Sequence, residues 1–189
     1  MPPKARLTTD RVVDTAASLL QNGGIEALTL HNLAKTLGVQ TPSLYNHIDG
    51  MPGLLSELRR LNARQLESRL VDAALGRSGS DAMLHLAQAY RGYIKEYPDL
   101  YNLTLRASGN ETQPDAELVA LETRIVQVVL AVLASFGLQA EDALHATRGL
   151  RSLVHGFATL EVAGGFGLPL DCDESFRRLL EMYIRHAWH

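Results

Sequence analysis

The chain has 189 residues, 46% of them hydrophobic and 21% charged, and 18 Lys and Arg against 21 Asp and Glu leave a net charge of −3. That length gives one domain, or a small one joined to a medium one, with enough apolar material for a core without staples; the composition excludes wholesale disorder, and the acidic balance speaks against a general nucleic-acid coat protein. The single cysteine, Cys172, excludes an intramolecular disulfide framework and a cysteine-based zinc site.

The charge is unevenly spread. Residues 1–70 hold eight Lys/Arg and six Asp/Glu, a net of +2, whereas residues 71–189 hold ten and fifteen, a net of −5. The margin is too small to name a partner by itself. The opening residues, MPPKARLTTD, show no apolar segment of a secretory signal. The longest strongly apolar run, Ile125 to Phe136, is broken by Gln127 and Ser135 and falls short of the roughly 20 residues of a membrane span. A reducing cytoplasm and no membrane partner are therefore expected.

The chain reads as all helix, since no segment sustains period-two alternation. A first helix is expected from Thr9, as N-cap ahead of Asp10, with Val13, Ala16, Ala17 and Leu20 as its apolar stripe and Gly23-Gly24 as its end. A second starts after Thr29, runs through Leu33, Ala34 and Leu37 and stops at Gly38. A third, very short, has Thr41 as N-cap and Pro42 at its first position. A fourth opens with Pro52 and runs to about Ala74, carrying Leu54, Leu55, Leu58 and Leu61 and then an Arg/Glu face. The stretch Gly76 to Ser80 is the clearest break. Helices follow at about 81–96, 98–107, 114–136, 140–163 and 173–187, with loops at Gly109-Asn110 and from Gly164 to Pro169. The run from Ile125 to Phe136 is apolar nearly all round, which predicts a helix buried on several sides.

Residues 29–48, TLHNLAKTLGVQTPSLYNHI, read as a helix–turn–helix unit. Gly38 allows the left-handed turn, and Ala34 allows the second helix to cross closely. Leu33, Leu37, Val39, Leu44 and Ile48 are the expected core. That leaves Gln40, Thr41, Ser43, Tyr45, Asn46 and His47 facing out, where such side chains hydrogen-bond base edges and phosphates. Backbone N–H groups at the start of the second helix of the pair add phosphate donors. The competing reading is a plain helical hairpin with a polar face.

The stretch ALTLHNLAKTLGVQTPSLYNHIDGMPGLL resembles the signature of the tetracycline-repressor (TetR) family of regulators. The matching pieces are the Leu-Thr entry, Leu-Ala-x-x-Leu-Gly-Val, the Leu-Tyr-x-His recognition helix and the following Leu-Leu, together with the first helix and the Gly-Ile-Glu-Ala-Leu link. They cover about residues 8–56. Beyond them the likeness is one of length and layout, although Leu153-Val-His-Gly-Phe157 and the Gly-rich loop resemble a subtype with a Trp/Val-His-Gly-like C-terminal element.

The resemblance implies an all-α fold: a helix–turn–helix DNA-binding domain over 1–50, a linking helix over 51–75, and a ligand-binding and dimerisation domain over 76–189. It implies a homodimeric repressor on a palindromic operator, released by a small-molecule effector, with no cofactor and no metal. By position, Tyr45 and His47 would contact phosphate, Thr29 would cap the second helix beside the DNA backbone, and Gln40, Thr41, Ser43 and Asn46 would lie closest to the bases. Lys4 and Arg6 precede the first helix and reach toward an adjacent phosphate or the minor groove. The family often has a lysine at the position of Met51, where it pairs with phosphate. Met51 makes no such pair, which implies moderate operator affinity and a shallower salt dependence.

In the C-terminal part, Tyr90, Tyr93, Tyr97 and Tyr101 fall at spacings of three and four, with His85 a turn or so earlier. Of these, His85, Tyr93, Tyr97 and Tyr101 are candidates for a ligand pocket, against a reading as ordinary core and surface residues. Arg148, Arg151 and His155 share a helical face and are candidates for an anionic ligand, against a solvated or dimer-facing stripe. His85, His145 and His155 have no short ligand spacing to support a metal site. Cys172, between Asp171 and Asp173, is a poor thiolate. Leu150, Leu153, Val154, Phe157 and Leu160, with Phe176, Leu179, Leu180, Tyr183 and Trp188, form apolar faces expected to pair two copies.

The implied mechanism has ligand in the C-terminal part moving the linking helix, changing the separation of the two recognition helices, so that ligand and DNA weaken each other's binding. Two other classes compete. One is a helical scaffold that does not touch DNA. The other is a helical enzyme using His or Glu, for which no Ser/His/Asp order, phosphate loop or paired-carboxylate motif is present.

Overall fold

The computed structural model describes residues 6–106 and 115–186. Among them the regular elements are all helical: α1 Thr9–Ala27, α2 Leu30–Leu37, a 3₁₀ helix Thr41–Asn46, α3 Gly50–Ala74, α4 Gly79–Glu96, α5 Pro98–Arg106, α6 Ala116–Ala134, α7 Ala140–Val162 and α8 Cys172–His186. No helix is long and apolar enough to cross a membrane, among the described residues. Two compact units emerge, one from 6–62 with 99–106 and 115–118, the other from 63–98 with 119–186.

In the first unit, α1 is capped by Thr8, whose side chain accepts from the Arg11 backbone N–H at 3.3 Å. The expected cap, Thr9, is already helical and instead donates its hydroxyl to the His47 carbonyl at 3.4 Å. At Gly24 the backbone turns to φ 64 and ψ −169, which kinks the helix, but one more turn continues to Ala27. The glycine pair therefore bends α1 rather than ending it, because residues 25–27 resume helical geometry. Val12, Ala16, Leu20, Leu33, Leu44 and Leu54 are essentially inaccessible and centre the core of this unit. The Asp115 carboxylate uses both oxygens. Oδ1 accepts the backbone N–H groups of Glu117 and Leu118 and so caps α6, while Oδ2 accepts from Arg60 Nε at 2.8 Å. Burial raises the Asp115 carboxyl, but these donors and the Arg60 charge outweigh it and hold it below the usual carboxylate range.

In the second unit, α4 packs against α7 and α8, and α7 against α8. Met83, Leu86, Tyr93, Leu133, Val154 and Phe176 are fully buried there. Two expectations change. In α6, Val129, Val132 and Leu133 are buried, but Val126, Val128 and Leu130 are half-buried and Ala131 and Ala134 exposed. One face is covered rather than several, because an all-round apolar sequence states which faces can be buried, not how many neighbours one chain supplies. In α7 and α8, Leu150, Val154, Phe176 and Leu180 are spent inside this unit, at 1% exposure or less. They are not available to pair two copies; Leu160, at 52%, is exposed. Trp188, Ala187 and the 107–114 stretch, with Gly109-Asn110, lie outside the described residues.

Candidate nucleic-acid interface

The helix–turn–helix is built by local chemistry at each boundary. The Thr29 hydroxyl accepts from the Asn32 backbone N–H at 3.1 Å and caps α2, as expected of it. Asn32 closes the link to α1 by donating its amide to the Ala27 carbonyl at 3.1 Å. Gly38 ends α2 at φ 69 and ψ 34, the left-handed conformation that costs an L side chain about 1–2 kcal/mol. The next amide, Val39, bonds back to the Ala34 carbonyl at 3.0 Å. Leu33, Ala34, Leu37, Leu44 and Ile48 are buried as expected. Val39 is only half-buried, because it sits in the turn itself.

The recognition segment is a 3₁₀ helix over Thr41–Asn46, not an α-helix. Gln40 precedes it in extended geometry and caps nothing with its side chain. Thr41 is therefore the first helical residue, one place inside its expected cap position. The tighter winding, about three residues per turn, aligns residues 41, 44 and 47 in one column. Leu44 is fully buried on that column, and Thr41 and His47 are drawn to half-burial with it. The next columns hold Pro42 with Tyr45, both exposed, and Ser43 with Asn46, half-buried and exposed. Tyr45 is the most prominent, 59% exposed beside a neighbour with no exposure. Its ring lies against the turn into α3, where Gly50 adopts φ 62 and an added Cβ would stand 3.8 Å from the ring. Arg6 is exposed just ahead of α1, and Met51 is half-buried in the first turn of α3. Lys4 lies outside the described residues.

In the second unit, Tyr93 and Tyr97 come together, with ring centroids 5.3 Å apart. The Arg69 guanidinium lies 5.4 and 5.5 Å from the two rings and bonds Glu96 at 2.5 Å. Tyr93 is fully buried, which pushes its phenol pKa up, and its hydroxyl donates to Gln65 at 3.3 Å. The four-tyrosine face does not run on. Tyr97 leaves helical geometry at φ −129 and ψ 56, and Tyr101 belongs to the separate α5 in the first unit. His85 turns back to its own helix, with Nδ1 2.8 Å from the Asp81 carbonyl. Arg148 and Arg151 are exposed on α7, while His155 is half-buried; burial and then the Arg151 charge lower its pKa. No group of three or more His, Cys, Asp or Glu residues is placed to hold a metal, among the described residues.

Residues 12–58 match the family described as "Bacterial regulatory proteins, tetR family", and residues 83–183 match "Tetracyclin repressor-like, C-terminal domain". The chain is 36% identical over 185 residues to the HTH-type transcriptional regulator YobS of Bacillus subtilis, covering 97% of this chain and 94% of that one. The chain belongs to the TetR family. It is also 30% identical to the class D tetracycline repressor protein of Escherichia coli, over 83% of this chain and 67% of the repressor. Its fold matches that of TetR-Q116A from Acinetobacter baumannii, solved in complex with minocycline, at a TM-score of 0.69 and 22% identity over 97% of this chain and 100% of that one.

This TetR-family regulator is thus a DNA-binding protein whose reading unit is the helix–turn–helix described above. Two features escaped the sequence reading. Lys35 is exposed in the last turn of α2, beside the turn that leads to the recognition segment; its charge and its spacing from Gly38 were the available signal. The other is an ion cluster centred on the buried Arg91. Arg91 on α4 donates to Glu161 on α7 from Nε and Nη2 at 2.7 and 2.6 Å, and to Asp173 on α8 from Nη1 at 2.7 Å. Lys95 adds a third bond to Glu161 at 2.6 Å. No sequence spacing links residues so far apart.

Proposed function

We propose that this TetR-family regulator is a repressor that binds a palindromic operator as a homodimer in the cytoplasm and is released by a small-molecule effector. The observation that carries it is the recognition segment: Leu44 is locked into the core, and the exposed columns beside it present Tyr45 and Asn46 to solvent. A scaffold helix gains nothing from a prominent, exposed tyrosine at that point. The residues assigned to DNA are Tyr45 and His47 on phosphate, Gln40, Thr41, Ser43 and Asn46 near bases, Thr29 at the α2 cap, and Lys4 and Arg6 ahead of α1. Burial ranks Gln40, Tyr45 and Asn46 above Thr41, Ser43 and His47 for direct reach.

The work divides into a reader over 1–50, a linking helix over 51–75 and a sensor and dimer part over 76–189. Release by an effector is supported by the minocycline bound to the A. baumannii relative and by the name of the class D repressor. Tyr93, Tyr97, His85, Arg148, Arg151 and His155 remain the ligand candidates in the second unit, with the Tyr93–Tyr97 pair, one ring fully buried and one half-buried, the best formed. Ligand and operator then weaken each other by linkage.

Selection of bound sequences from random duplexes tests the reading. The expected product is a palindrome whose half-site centres lie about 34–36 Å apart, one helical turn, or a multiple of it. Recovery of no enriched sequence, or of an asymmetric one, overturns it.

A further inference from the structure

An open recess of about 430 Å³ lies in the second unit among Gln88, Arg91, Gly92, Lys95, Glu96 and Asp173. Arg91 forms its inner wall. It is 7% exposed, and its guanidinium carbon sits 5.3 and 4.9 Å from the ring centroids of Phe157 and Phe176. The paired bonds to Glu161 fix the plane of the guanidinium, as a fork fixes a carboxylate. With the bond to Asp173 they use three of its five N–H groups. Lys95 spends one of its three on Glu161.

The two acidic partners differ sharply. The Glu161 side chain is 13% exposed, whereas the Asp173 side chain is 83% exposed in the first turn of α8. A solvated carboxylate on a preorganised guanidinium is bound weakly, because water competes for it. Asp173 thus occupies a position that another carboxylate can take. Gly92 keeps the recess open between Arg91 and Lys95. It lies inside an 18-residue helix, where glycine is unfavourable relative to alanine, and an added Cβ would meet nothing within 4 Å. Neither a left-handed backbone nor a close neighbour requires glycine there.

We propose that this recess is a binding site for a small organic carboxylate, which replaces Asp173 on Arg91 with Lys95 as its second cation. The charges then balance: Arg91 and Lys95 face Glu161 and one ligand carboxylate. A phosphate dianion brings excess negative charge beside Glu161 and Glu96, so the site discriminates against it. The methylene stems of Gln88 and Lys95 provide apolar surface for the ligand's body. Asp173, once displaced, frees the first turn of α8 from α4. Carboxylate binding here is separate from operator binding and is read directly.

The test is calorimetric titration of the full chain with sodium benzoate and with inorganic phosphate at constant ionic strength, in the wild type, Asp173→Ala and Gly92→Leu. One saturable benzoate site per chain is expected, tightened about two- to fivefold in Asp173→Ala by removal of the internal competitor. Gly92→Leu fills the recess and abolishes binding. Leucine is a better helix former than glycine, so circular dichroism should show unchanged helix content in that variant. Absence of saturable benzoate binding in Asp173→Ala, equal binding in Gly92→Leu and wild type, or phosphate binding as tight as benzoate overturns the proposal.

Discussion

Gly149 on α7 and Tyr183 on α8 are fitted to each other: a Cβ on Gly149 would stand 2.6 Å from the Tyr183 hydroxyl oxygen. That hydroxyl donates to the Ala146 carbonyl at 2.6 Å, one turn earlier on α7. The absent side chain is what lets the hydroxyl end of the ring pack directly on α7, with its nearest ring carbons 3.2 and 3.3 Å from the same point. Gly149→Ala forces the ring away and breaks the bond. Although alanine is the better helix former, a net loss of about 1–3 kcal/mol is expected from overpacking. Urea unfolding followed by circular dichroism measures it; an alanine variant as stable as the wild type refutes the fit.

The Arg91–Glu161 pair makes stability depend on acid. The hydrogen bond from Arg91 is the largest influence on Glu161; burial opposes it, but the Lys95 bond and both charges reinforce it, so the carboxyl lies below its usual range. A carboxyl lowered in the folded state adds stability above its unfolded pKa, about 4.3, and loses it as the pH falls through the folded value. The wild type should therefore weaken on acidification below about pH 4.3. Glu161→Gln leaves a buried guanidinium half-compensated. It should cost about 3 kcal/mol at pH 7 and flatten the acid limb of the stability curve. Thermal unfolding across pH 3–7 in both proteins checks the sign and the slope.

Met51 stands where a lysine would place a cation in the first turn of α3. Met51→Lys should tighten operator binding and steepen its dependence on salt, by about 0.9 in the logarithmic slope for each further phosphate neutralised. Fluorescence anisotropy on the selected operator between low and high salt reads both. An unchanged slope would place that turn away from the phosphates.

Tyr45 is 59% exposed, so its removal should move stability by no more than about 0.5 kcal/mol. On the proposed phosphate contact, Tyr45→Ala should nevertheless lose a charge-assisted bond in each copy of the proposed dimer, about 1.5–3 kcal/mol apiece. Operator shift should disappear while size-exclusion behaviour and melting temperature stay as in the wild type. Retained operator binding would remove this segment from the interface.

Much of the first unit was legible from short-range patterns. The Thr29 cap, the left-handed Gly38 and the buried Leu33, Leu44 and Ile48 each depend on neighbours within a few residues, and each stands where the pattern puts it. The tightening of the recognition segment into a 3₁₀ helix was not legible, since about six residues carry too little periodicity to separate roughly three residues per turn from 3.6. That difference turned Thr41 and His47 inward beside Leu44.

By itself the sequence determined the helical class, most helix boundaries, the helix–turn–helix and, through its motifs, the likeness to TetR regulators. These rest on propensity, capping and spacing, which act locally along the chain. Only the tertiary structure decided which apolar faces of α7 and α8 are consumed inside the unit, why Gly149 must lack a side chain, and that Arg91, Lys95, Glu161 and Asp173 meet beside an open recess. Those relations join residues tens of positions apart. They follow from how helices pack, and no spacing along the chain encodes it.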